Sequence, residues 1–120
     1  MKKLELRHVG FLWSELKALV GSPPFILLTL LGNGLICLSA ILFYLIEEGT
    51  NPKVRRFMDA LWWAFAPATT TGYGDITPAT DAGKVLSILL MLLGLAIFAM
   101  YTALFAETIL ASKNTGDEGA

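Results

Sequence analysis

Two stretches of the chain run without a charged residue for long enough to cross a lipid layer as helices, and a shorter, half-apolar stretch lies between them. From Pro24 to Ile46 the sequence reads PFILLTLLGNGLICLSAILFYLI. About 20 apolar residues span a roughly 30 Å hydrocarbon layer, so a first transmembrane helix is expected over about 24–46. Pro23 and Pro24 suit a helix start, where a missing N–H costs little, and Glu47-Glu48-Gly49 marks the return to water. A second uncharged stretch, Val85 to Ala106, is followed by Glu107 and predicts a second spanning helix over about 82–110, with a polar tail at 111–120.

The segment from Gly49 to Lys84 is too short to cross and return, so it is expected to be re-entrant. Within it, Asp59-Ala-Leu-Trp-Trp-Ala-Phe-Ala has the pattern of a short helix, predicted over about 57–67, with Asp59 in its first turn and Pro67 stopping it. The glycine-containing run 70–74 follows directly. Non-helical backbone at membrane depth is tolerated only where it is buried in protein or lines a water-filled path, which by itself argues for a pore. Residues 1–22 mix Lys2, Lys3, Arg7 and Lys17 with Leu4, Val9, Leu12, Trp13, Leu16 and Leu19, a spacing that lays an amphipathic helix on a membrane surface. A helical extension of the first span is the alternative.

Composition narrows the function classes. At 55% hydrophobic and 16% charged, 120 residues expose more apolar surface than so small a fold can bury, so lipid is the expected solvent. A net charge of −1 with scattered basic residues leaves no nucleic-acid footprint. Cys37 and His8 are each the only residue of their type, which excludes an internal disulfide, a Cys/His metal cluster and a histidine-based hydrolase. No enzyme activity and no cofactor are therefore expected. Lys2, Lys3, Arg7, Lys17 and Lys113 flank one membrane face against Lys53, Arg55, Arg56 and Lys84 on the other, a small bias toward cytoplasmic termini in the cell membrane. Two spans put both termini on one side.

The run Thr69-Thr70-Thr71-Gly72-Tyr73-Gly74-Asp75, preceded by Trp62-Trp63 and followed by Ile76-Thr77-Pro78, resembles the signature of the potassium channel family, in its bacterial two-transmembrane pore type. The resemblance implies an all-α membrane fold, two spans with a re-entrant pore helix and an extended selectivity filter, assembled as a homotetramer in the bilayer. It implies K+ as the transported ion, held by the carbonyls of Thr70, Thr71, Gly72 and Tyr73 and by the Thr70 hydroxyl, with Gly74 closing the filter. It also implies an aromatic cuff, with Trp62 bonded to Asp75 and Trp63 to the Tyr73 hydroxyl. The filter residues have a physical rationale of their own. Successive carbonyls of an ordinary strand point to opposite sides, and turning them all one way requires φ > 0 at alternate residues, which glycine accepts and a β-carbon resists.

This chain departs from the family pattern at two places. Thr71 stands where many members have valine, adding a hydroxyl that needs a partner behind the filter, and Ala66-Pro67 stand where some bacterial relatives have a carboxylate and threonine. Filter inactivation is expected to differ accordingly. The pore-helix C-terminus near Ala66 is expected to aim its partial negative charge at a central cavity. On the second span Gly94 holds the place of the family's hinge glycine, or simply permits close packing. Phe98, Thr102, Ala106 and Leu110 are expected to line the inner pore, and Glu107 to form a ring at the cytoplasmic mouth or to be a solvated helix end. A weakly selective monovalent cation pore is the alternative function. The chain carries no arginine-rich sensor helix. A cytoplasmic regulatory domain, absent from this sequence, and an origin as a pore cut from a longer protein are further expectations.

Overall fold

The computed structural model describes residues 1–118, with side chains described as far as Asn114. Four helices follow one another: α1 Lys2–Val20, α2 Pro23–Glu47, α3 Phe57–Ala68 and α4 Asp81–Glu118. No strand occurs among the described residues, so the fold is all-α. Both α2 and α4 are long and apolar enough to cross a membrane, and only 17% and 11% of their most apolar windows are buried within the chain. A water-soluble fold would bury such helices in its core. Here the lipid-sized apolar surface stays uncovered.

The chain divides into two compact units, one of Met1–Thr29 with the chain from Ala99 onward, the other Leu30–Phe98. The second unit holds all of α3 and both of its flanking loops. Its core is small and dense: Ala40, Ala60 and Ala64 are fully buried, and these methyl side chains let helix backbones approach closely. Phe43 of α2 lies flat on Trp63 of α3, with ring centroids 3.6 Å apart and planes within 7°. Val54 and Leu90 complete the cluster.

Helix α3 starts where it does because Arg56 is extended, at φ −130° and ψ 155°, and the Asp59 carboxylate folds back onto the amides of Arg55 and Arg56 at 3.0 and 2.9 Å. Those two amide donors, Arg56 first, hold the Asp59 carboxyl below the usual carboxylate range. The expected stop at Pro67 is corrected: α3 continues to Ala68, with Pro67 inside its last turn. Pro67 forfeits only the bond its own N–H would make, and the Thr69 N–H still reaches the Phe65 carbonyl at 3.0 Å.

In the first unit, α1 ends at a turn in which the Gly21 and Ser22 amides bond Lys17 and Leu19 carbonyls. It is an element separate from α2 rather than an extension of it, and Leu19 is its buried residue. Phe25 meets Tyr101 and Phe105 edge-on, at 5.4 and 6.3 Å. Thr29 donates to the Phe25 carbonyl at 2.9 Å, so the 2.7 Å contact with Tyr101 is a Tyr101 hydroxyl donating to Thr29. The second span also runs further than expected. Helix α4 continues through the polar segment to Glu118, because no glycine or proline interrupts Leu95 to Thr115. The last two residues of the expected polar tail lie outside the described residues.

Candidate functional site

The run Thr70 to Gly74 leaves the end of α3 with φ alternating in sign. Thr70, Gly72 and Gly74 lie at +61°, +56° and +76°, while Thr71 and Tyr73 between them are negative. Such alternation turns successive carbonyls to the same side, where an ordinary strand would alternate them. Two of the three left-handed positions are glycines, as the sequence reading required. The third, Thr70, was not foreseen: a β-branched residue there is strained by roughly 1–2 kcal/mol and needs its surroundings to hold it.

Those surroundings are the last carbonyls of α3. The Ala66 carbonyl accepts the amides of Thr71 and Gly72 at 2.9 and 3.2 Å, and the Pro67 carbonyl accepts that of Thr70 at 3.2 Å. The helix end whose partial negative charge was expected to aim at a cavity gives two of its carbonyls to the filter backbone. The whole run 70–75 is exposed in the single chain.

Behind the run, Trp62 does double duty. Its ring stacks on Tyr73 with centroids 5.6 Å apart and planes within 12°, and its Nε1–H donates to Asp75 Oδ2 at 2.8 Å. That N–H, the largest influence, holds the Asp75 carboxyl below its ordinary range. Trp63 does not share this face within the chain. Successive helical residues point about 100° apart, so Trp63 is turned into the core against Phe43. The intrachain cuff is therefore one tryptophan deep.

The sequence reading missed Glu47. It was assigned to the return to water, yet its side chain is 0% exposed. Its Oε2 accepts from Asn51 Nδ2 at 2.8 Å and the Ala79 amide at 2.7 Å, and its Oε1 from the Thr80 amide at 3.0 Å and the Thr80 hydroxyl at 2.5 Å. Asn51 Nδ2 also donates to the Thr77 carbonyl at 2.8 Å. One carboxylate so ties the end of α2 to the chain that returns from the filter, and a side chain at Gly83 would collide with it. A visible signal was present in the i, i+4 pair Glu47–Asn51, which only folding shows to be shared with residues 79 and 80. Neighbouring Glu48 is exposed and takes the Tyr44 hydroxyl instead.

On α4, Gly94 is buried, and a β-carbon there would stand 2.7 Å from the Ala68 carbonyl oxygen and 2.9 Å from its Cα. Close packing against the end of α3 is what the structure requires of this glycine. Phe98, at 64%, is exposed. Thr102, Ala106, Glu107 and Leu110 are exposed on the part of α4 that belongs to the first unit. Beside the filter, an open groove of about 690 Å³ is lined by Thr70, Gly72, Ile88 and Leu92 among others.

A protein-family model described as "Ion channel" matches residues 26–111. A voltage-gated potassium channel of Aeropyrum pernix is 44% identical over 62 residues, 51% of this chain and 21% of its own length. A hyperpolarization-activated voltage-gated potassium channel of Methanocaldococcus jannaschii is 46% identical over 54 residues, 44% of this chain and 26% of its own. The chain therefore spans about a fifth to a quarter of these relatives. Among solved structures, the crystal structure of a voltage-gated K+ channel pore domain in a closed state in lipid membranes is 37% identical with a TM-score of 0.56, over 63% of this chain and 84% of that one. A tetragonal crystal form of such a pore module, also closed and in lipid membranes, gives 34% identity and a TM-score of 0.64, over 72% and 90%.

Proposed function

The chain belongs to the ion channel family, as a membrane-spanning pore domain, and from that premise we propose that it is one quarter of a potassium-selective channel conducting K+ passively across the cell membrane. The observation that carries this reading is the sign alternation of φ at Thr70, Gly72 and Gly74, which turns a column of carbonyls to one side. One such column cannot surround an ion. Four copies about a common axis supply rings of oxygens from Thr70, Thr71, Gly72 and Tyr73 that replace the hydration shell of K+.

The homotetramer accounts for what one chain leaves open. The exposed run 70–75 faces the axis, and the groove beside it receives the neighbouring copy's pore helix. A Trp63–Tyr73 hydrogen bond, which Trp63's place in the core denies within one chain, joins neighbouring copies. Phe98, Thr102, Ala106 and Leu110 line the inner pore, Gly94 lets α4 pack closely against the end of α3, and Glu107 forms an acidic ring that concentrates cations at the cytoplasmic mouth, with both termini on that side. Helix α1 lies in the cytoplasmic interface, with Lys17 over the Trp13 ring at 5.7 Å. No covalent chemistry is involved, and the family and fold are those of a channel rather than an enzyme.

Purified protein in planar bilayers, with high potassium on one side and low potassium made up with sodium on the other, tests the reading. A reversal potential close to the potassium equilibrium value is expected. A value near zero would instead identify a weakly selective cation pore.

A further inference from the structure

We propose that Thr71 and Thr69 form a hydroxyl relay that positions the filter, a role that rests on the potassium-channel reading above. Thr69 Oγ1 lies 2.6 Å from the Phe65 carbonyl oxygen, with a longer 3.5 Å approach to Ala66, and 2.8 Å from Thr71 Oγ1. A carbonyl only accepts, so the one Thr69 proton goes to Phe65. The Thr71 proton therefore goes to Thr69, and the order Thr71 to Thr69 to Phe65 is fixed.

The relay adds a side-chain link to the backbone bonds that the Ala66 and Pro67 carbonyls already make to the filter. A cleft of about 330 Å³ lies behind it, lined by Trp62, Phe65, Ala66, Thr69, Thr71 and Tyr73. The Ala66 side chain is only a methyl group, and the Trp62 N–H is committed to Asp75. Thr71 is the negative-φ residue between two left-handed ones, Thr70 at +61° and Gly72 at +56°. Both peptide planes beside it pivot on the Thr71 Cα, and fixing its side chain holds that pivot in place. Two anchors hold Thr71 to the C-terminal end of α3: its amide on the Ala66 carbonyl at 2.9 Å and its hydroxyl on Thr69, the residue that follows the helix. Tyr73, the next such residue, is held by its ring on Trp62 instead. Valine has the shape of threonine without the hydroxyl, so Thr71→Val would remove one anchor of two from each of four subunits at little steric cost.

The test uses single-channel and macroscopic currents from the wild-type chain and from Thr71→Val, Thr71→Ser, Thr69→Val and the Thr69→Val/Thr71→Val pair, on lowering potassium. Thr71→Val is expected to enter a non-conducting state about tenfold faster, roughly the worth of one net hydrogen bond. Thr71→Ser is expected to stay within about twofold of wild type, and the double variant to be no worse than the worse single one, because both remove the same link. Thr71→Val behaving as wild type, or Thr71→Ser failing as badly as Thr71→Val, would overturn the relay. If the wild-type chain passes no potassium, the proposed function fails, and the relay is then decided by solid-state NMR of the Thr71 side chain. One χ1 rotamer in the wild type that becomes averaged in Thr69→Val supports it, and an unchanged rotamer overturns it.

Discussion

The filter run and the loop that returns from it are neighbours in sequence and opposites in construction. The return loop is anchored by a buried carboxylate with four donors on it, all from the same chain. The filter is exposed along its length and, among the described residues, is held by three backbone bonds to α3, one hydroxyl contact, the Trp62 link to Asp75 and the Trp62 ring on Tyr73. A single chain can finish its own frame. Its filter run stays exposed, and in the proposed channel an ion and three other copies complete it. The difference teaches that frame and filter should fail separately: one as lost stability, the other as lost conduction.

The largest expected effect is on the filter alone. Gly72→Ala puts a β-carbon at φ +56° with nothing within 4 Å to clash with it, so the cost is purely conformational. Potassium flux into liposomes should disappear while the melting temperature of the assembled protein changes little. Equal flux in wild type and variant would mean that the left-handed geometry is dispensable.

The reverse case is Glu47→Gln. An amide nitrogen would face donors where a carboxylate oxygen accepted them, which should destabilise each subunit by about 2–4 kcal/mol. Thermal unfolding should show it, and an unchanged melting temperature would break the contrast between frame and filter. Gly94→Ala comes next, at about 1–3 kcal/mol, since its methyl group must displace the Ala68 backbone 2.7 Å away. Because Ala68 adjoins the filter, this variant should lower both stability and flux, and an effect on one alone would show that the two regions are not coupled there.

The smallest effect is the pH dependence of the Trp62–Asp75 bond. Asp75's folded pKa is depressed, so the bond's contribution is complete above the ordinary carboxylate pKa near ~4 and is lost as pH falls through the lower folded value. Flux should therefore hold on acidification to about pH 4 and decline below it, with Asp75→Asn removing that decline. A decline already complete at about pH 5 would place the responsible group elsewhere.

Much of the fold was legible because its signals are local. Uncharged runs of membrane length gave α2 and α4, and Asp59 gave the start of α3. The glycine spacing gave two of the three left-handed residues. What the sequence could not show depends on parts distant in the chain. Glu47 reads as a polar helix end until Ala79 and Thr80 fold onto it, and Gly94 reads equally as hinge or packing residue until Ala68 arrives beside it. Trp62 and Trp63 read as a pair, and the 100° helical step separates their roles. Pro67 and the polar stretch after Leu110 misled for a different reason: both look like stops, and a helix tolerates either when the cost is one bond or none.

Diffraction from crystals grown in thallium, a heavy monovalent stand-in for K+, tests the central claim most directly. The account predicts a four-fold axis carrying a row of anomalous peaks, each ringed by oxygens from Thr70, Thr71, Gly72 or Tyr73 of four chains. Carbonyls of that run turned away from the axis, or an axis without peaks at their level, would contradict it.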